Sequence, residues 1–232
     1  PKTNRPSDYR LWTEIYSATV TAELEGHFDE AARAVPADSL EARRVALFRR
    51  EFLLDLKARG DAYRAQISVA DGLTRYRTRA AANLVSPNWI LDRPQADWDA
   101  TVRLVGEKAI RVTTTEKAMS QWAAFNRLKP GVTLKPGQTY RLSWFVKTDL
   151  SPRERGGGAA MGVALAHKAS GYTKHYAFPA TVNYLSGKVD WIAQTVTFTV
   201  PADAPEGVTG CLQPFVRYAV GTTWFDGFLL EE

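Results

Sequence analysis

Residues Leu134–Asp149 read LKPGQTYRLSWFVKTD. After the Pro136–Gly137 turn pair, Tyr140, Leu142, Trp144 and Val146 alternate with Arg141, Ser143, Phe145 and Lys147. A period of two puts the two sets on opposite faces, so the stretch predicts a half-buried β-strand. The same period returns in QTVTFTV (194–200), where Val196, Phe198 and Val200 alternate with threonines. KAIRVTTT, AAMGVALAHK, GCLQPFVRY and WFDGFLLEE are further strand segments. Turn signals such as KPGVTLKPGQ, RERGGG, ASGY, LSGK, PADAPEG and AVGT separate them. From Asn83 onward this amounts to about eight or nine short strands with no helix between them, the pattern of an antiparallel sandwich or barrel.

Toward the N-terminus the period changes. Leu11, Ile15, Ala22, Leu24, Phe28, Ala31 and Val35 recur at helical intervals, with Ser7 or Asp8 as the N-cap and Pro36 as the stop. A second helix restarts at Asp38 or Ser39, with Glu41 in its first turn. Leu40, Leu47, Leu54 and Val45, Phe52, Leu56 form its apolar stripe. The short connection predicts an antiparallel helical hairpin. Its apolar stripes need a partner, either the second half or a further domain. SVADGLTRYRTRAAANL then loses the pattern, and Asp71–Gly72 reads as a turn. The expected fold is therefore α+β: a helical hairpin over residues 1–80, then a jelly-roll β-sandwich over 81–232.

With 45% hydrophobic and 24% charged residues, the chain is ordinary globular material. No apolar run approaches the ~18 residues of a membrane span. The net charge of +5 invites nucleic acid. The arginines of EARRVALFRREFLLDLKARGDAYR, however, alternate with Glu and Asp, which describes a solvated helix face rather than a basic stripe. The opening PKTNRPSDYR has neither Met nor a leader pattern, which implies a processed product or a piece of a longer protein and leaves secretion open. The single cysteine, Cys211, excludes an internal disulfide and reads as a small apolar strand residue.

Five segments, in order, resemble jelly-roll carbohydrate-binding modules of the galactose-binding-like superfamily, above all families 4, 9 and 22. They are NLVSPNW with ADWDATV, GEKAIRVTTT, LKPGQTYRLSWFVKTD, VDWIAQTVTFTVPADAP and WFDGFLLEE. The helical segments LWTEIYSATVTAELEGHFDEAARA and RRVALFRREF are similar to the tail of secreted glycoside-hydrolase-like proteins distantly related to alpha-glucuronidases. Together these resemblances imply the C-terminal part of a secreted, periplasmic or cell-surface bacterial polysaccharide-degrading enzyme, whose N-terminal catalytic-type domain lies outside this sequence.

The resemblance also implies a structural calcium, held by an acid on the last strand, Asp226, and a second acid near the first, with Asp92 in the nearest place. Two departures stand against it: NWILD replaces the usual Phe-Glu, and Gly227 replaces the second Asp of the closing motif. Calcium takes six to eight oxygen ligands. The alternative is that Asp226 accepts hydrogen bonds, which a buried acid needs in any case.

Glycan binding needs aromatic faces for pyranose stacking and planar polar groups for hydroxyls. Trp144, Phe198 and Trp191 read as core. Trp122, in SQWAAFN beside a loop, is a platform candidate. Tyr172, Tyr176 and Tyr184 fall in a polar, aromatic-rich stretch and either touch ligand or pack at the surface. Gln213, Phe215 and Arg217 share one strand face, with Leu212, Val216 and Tyr218 on the other. Gln213 and Arg217 there either bind sugar hydroxyls or a uronate carboxylate, or form an ordinary polar outer face. No catalytic set stands out. Asp97 and Asp99 lie in a loop-like run as turn residues, and His27, His167 and His175 lack metal-ligand spacing.

Overall fold

The computed structural model describes residues 8–91, 94–116, 120–122, 124–153, 157–179 and 184–232. It divides into two compact units, Pro1–Gln66 and Ile67–Glu232.

The first unit is helical. A π-type turn, Leu11–Ile15, ends at Tyr16, and Ser17 caps a new helix α1, Ala18–Arg33, by accepting the Val20 N–H at 3.3 Å. The single helix expected from residue 8 is thus broken at Tyr16–Ser17, where the Ser17 hydroxyl competes for backbone donors and starts a fresh turn. Ser39 caps α2, Leu40–Phe48, which continues through the turn Arg49–Leu53 into α3, Leu54–Gln66. Glu25 of α1 accepts Lys57 of α3 at 2.6 Å and faces Arg49 at 3.5 Å, tying the arms together. Leu53 is buried, whereas Leu40, Leu47, Phe48, Phe52 and Leu54 remain exposed.

The second unit begins with helix α4, Val69–Arg79, capped by Ser68. The boundary expected near residue 80 lies earlier, and Asp71–Gly72 belongs to the first turns of this helix. The physical reason is tertiary. Gly72 sits so close to the sandwich that a Cβ there would lie 2.7 Å from the Phe145 ring and 2.8 Å from the Ala193 side chain. Arg75 pairs with buried Glu231, and Arg79 approaches the same carboxylate at 3.6 Å.

Two antiparallel sheets follow. Sheet I has the order β1 (Val85–Leu91), β5 (Ala124–Leu128), β10 (Thr209–Arg217), β7 (Gly158–His167), β8 (Tyr172–Pro179), and β4 (Ser120–Trp122) also pairs with β10. Sheet II has the order β2 (Ala96–Asp99), β3 (Ala109–Thr114), β11 (Ala219–Glu231), β6 (Thr139–Pro152), β9 (Gly187–Thr199). This is the expected jelly-roll sandwich. Tyr140, Leu142 and Trp144 of β6 point inward with Phe225, Met161, Leu165 and Leu212, all 2% exposed or less. Burying a large apolar side chain contributes about 1.5–3 kcal/mol, so these layers dominate stability. Asn83 closes the sandwich: its amide donates to Phe228 O and its oxygen accepts the Val85 and Leu230 N–H groups. Among the described residues no helix is long and apolar enough to cross a membrane.

Candidate functional site

The two outer faces of the sandwich differ. On sheet II, Phe145 and Ala193 lie under α4. On sheet I, strand register sets the outer face row by row. Arg217 pairs with Gly158 and Ser120, Phe215 with Ala160 and Trp122, Gln213 with Gly162, and Cys211 with Ala164 and Arg127. On β8, Pro179, Ala177 and His175 continue the rows of Ala160, Gly162 and Ala164. The β7 phase facing out is thus Gly158, Ala160, Gly162, Ala164 and Ala166, while Met161, Val163 and Leu165 face in. Gly158, Ala160 and Gly162 of this phase are buried, whereas Ala164 is half-buried and Ala166 exposed. The row was written in GAAMGVALA, where Gly158, Ala160, Gly162, Ala164 and Ala166 alternate with the inward residues.

Tyr184 lies at the Gly158 end of this row. Its neighbour Leu185 forms a bridge with Ala159, the Ala159 N–H donating to Leu185 O at 2.7 Å. The Tyr184 ring stands edge-on to Phe215 at 6.0 Å, and Arg217 Nη1 donates to its hydroxyl at 3.5 Å. Arg217 is exposed, Gln213 and Tyr184 are half-buried, and Phe215 is 6% exposed.

The structure therefore brings Tyr184, Gln213 and Arg217 to one face, and the Trp122 backbone pairs opposite Phe215. It sends two predicted tyrosines elsewhere. Tyr176 lies on the other phase of β8, stacks on Phe178 and Phe198, and donates its hydroxyl to Thr199 O at 2.9 Å. Tyr172 shares that phase, with its hydroxyl buried. Tyr176 joins the two sheets at their edge, a packing role that follows from its strand phase. Cys211 is half-buried on the outer face rather than in the core.

Asp226 is buried and accepts three backbone N–H groups, from Leu104 at 2.8 Å, Val105 at 2.7 Å and Gly227 at 2.7 Å. Burial pushes its carboxyl above the usual range, and those donors pull the other way. Gly227, at φ +58°, has the Phe145 ring 2.5 Å from where a Cβ would be. A second acid cannot stand where the ring is, and N–H donors occupy both Asp226 oxygens. These residues do not fit calcium. Asp92 lies outside the described residues. Among the described residues no group of three or more His, Cys, Asp or Glu could hold a metal ion.

Asp97 and Asp99 lie in strand β2, not a loop. Asp97 pairs with Arg111, its neighbour on β3. Asp99 accepts from Thr101 Oγ1, Trp224 Nε1 and the Val102 N–H, which hold its carboxyl well below the usual range. His167 Nδ1 contacts Ser170 Oγ at 2.8 Å, and His175 is exposed on β8.

No family model matches the chain. Two curated relatives, the tRNA(Glu)-specific nuclease WapA of Bacillus subtilis subsp. natto and the tRNA nuclease WapA of Bacillus subtilis strain 168, are each 30% identical over 132 residues. The match takes in 56% of this chain and spans 5% of each WapA protein. Among solved structures, the C-terminal family 22 carbohydrate-binding module of Clostridium thermocellum Xyn10B is 16% identical with a TM-score of 0.43, covering 62% of this chain and 85% of that one. The CBM22-2 xylan-binding domain of Paenibacillus barcinonensis Xyn10C is 12% identical with a TM-score of 0.45, covering 66% and 95%.

Proposed function

We propose that the outer face of sheet I binds glycan chains, and that this chain is a non-catalytic, targeting region of a secreted polysaccharide-degrading protein. One observation supports this most: the ring pair of Tyr184 and Phe215 stands with Gln213 and Arg217 on the outer face of sheet I. The aromatic edge offers an apolar contact, and the amide and guanidinium offer planar hydrogen bonding to hydroxyls. The sequence resemblance to jelly-roll glycan-binding modules points the same way. Weak binding of this kind holds a tethered catalytic domain near its polymer and raises its effective substrate concentration.

A structural reading has its own support, since Phe215 is only 6% exposed and α4 already uses the opposite face of the sandwich as a docking surface. A broad array of plant and microbial glycans, probed with calcium and with chelator, separates the two. The glycan reading expects selective binding to one polysaccharide class, unchanged in chelator. A blank array in both buffers leaves the structural reading standing alone.

A further inference from the structure

Among the described residues, two that are not glycine adopt positive φ: Tyr184 at 60° and Tyr218 at 46°. Left-handed backbone is strained for a non-glycine residue, and such strain collects where geometry matters to function. The two tyrosines are far apart in sequence, yet both converge on the side chain of Arg217. Tyr184 accepts from Arg217 Nη1 at 3.5 Å, and the guanidinium carbon sits 4.8 Å from the centre of the Tyr218 ring.

Paired backbone adjoins each strained residue. Tyr184 precedes the Leu185–Ala159 bridge. Tyr218 joins β10 to β11, and its carbonyl accepts the Arg153 N–H at 2.8 Å. Arg217 is exposed at the end of β10. No carboxylate among the described residues pairs with it, whereas nearby Arg153 has Glu116 at 2.6 Å. A guanidinium set over one ring, with N–H groups directed at the Tyr218 and Tyr184 side chains, keeps a fixed plane, and no carboxylate among the described residues takes its remaining donors. That geometry suits a carboxylate, which takes two parallel N–H bonds, better than a lone sugar hydroxyl. Gln213 lies four residues away on the same face, about 13 Å along β10. The ring pair stands between them.

We infer that Arg217, gripped by Tyr184 and Tyr218, is a carboxylate subsite on the outer face of sheet I. The favoured ligands are then acidic polysaccharides bearing uronates. This rests on the glycan-binding reading above.

The test uses the whole chain in affinity electrophoresis against polygalacturonate, glucuronoxylan, alginate and hyaluronan. Each polymer is used native and after reduction of its carboxyls to alcohols. Dextran sulfate serves as a bulk-charge control. At least one native polymer is expected to bind about ten- to a hundredfold more tightly than its reduced form, the range of a charge-assisted hydrogen-bond pair. R217Q should fall to the level of the reduced polymer and retain that residual binding. Y218G removes the ring and relieves the backbone. It should unfold no more readily than the parent in urea, yet lose most of the preference for native polymer.

Equal binding of native and reduced polymers, or an R217Q variant that keeps the preference, overturns the subsite and leaves the glycan reading intact. Dextran sulfate bound as tightly as the native polymer overturns carboxylate recognition in favour of bulk charge. Failure to bind any polymer, native or reduced, sinks the glycan reading and the subsite with it.

Discussion

Asp226 and Asp99 are both buried carboxylates on sheet II, and both fasten the loop between β2 and β3. They titrate in opposite directions. Folding lowers the pKa of Asp99, so its contribution is fully present above its ordinary value of 3.8 and is lost as pH falls below it. Urea titrations at pH 5 and pH 3 should therefore show a loss of stability on acidification, and D99N should flatten it. Burial raises Asp226, so it opposes that slope. D226A strands three backbone donors and should cost about 1–3 kcal/mol by urea unfolding. Chelator should leave the melting midpoint of the parent unchanged; a lowered midpoint would show a bound metal. A lone acid in an apolar strand was legible in the sequence as a group needing partners. Its partners, the N–H groups of Leu104 and Val105, were not, because only the fold brings that loop to β11. The departure of Gly227 from the family motif was visible, but its cause, the Phe145 ring, is tertiary.

At the scale of elements, strand phase decides most of what was read correctly and what was not. The alternation in β6 and β10 placed Trp144 and Leu212 inside and Gln213 and Arg217 outside, because a pleated strand has no other choice. The roles of the β8 tyrosines stayed open in the sequence because their stretch mixes aromatic and polar residues on both sides of several turns, hiding its phase. Y176A should lower stability by about 1–3 kcal/mol through lost packing and a lost hydrogen bond, and leave glycan binding intact. Y184A should do the reverse. Helix α4 was hidden by Gly72, which looks like a turn residue. There, two effects compete in G72A: helix propensity favours alanine by about 1 kcal/mol, while a Cβ pressed into the Phe145 ring costs about 1–3 kcal/mol. The clash should win, giving a lower unfolding midpoint and faster amide exchange over residues 69–79.

On the scale of the whole molecule, the change from helical to two-residue period marked two halves, and the structure moves their boundary to Gln66–Ile67. A fragment of residues 67–232 should unfold in one cooperative step, whereas one of residues 83–232 loses α4, uncovers Phe145 and should be less stable or aggregate. The central claim is that sheet I, not sheet II, presents the glycan-binding face. Amide chemical-shift mapping by NMR, during titration with mixed oligosaccharides from xylan and pectin, tests it most directly. The account predicts shifts concentrated at Gly158–Ala166, Tyr184 and Gln213–Arg217, with the amides of β3, β6 and β11 still. Shifts centred on sheet II or the helical unit, or none at saturating oligosaccharide, would contradict it.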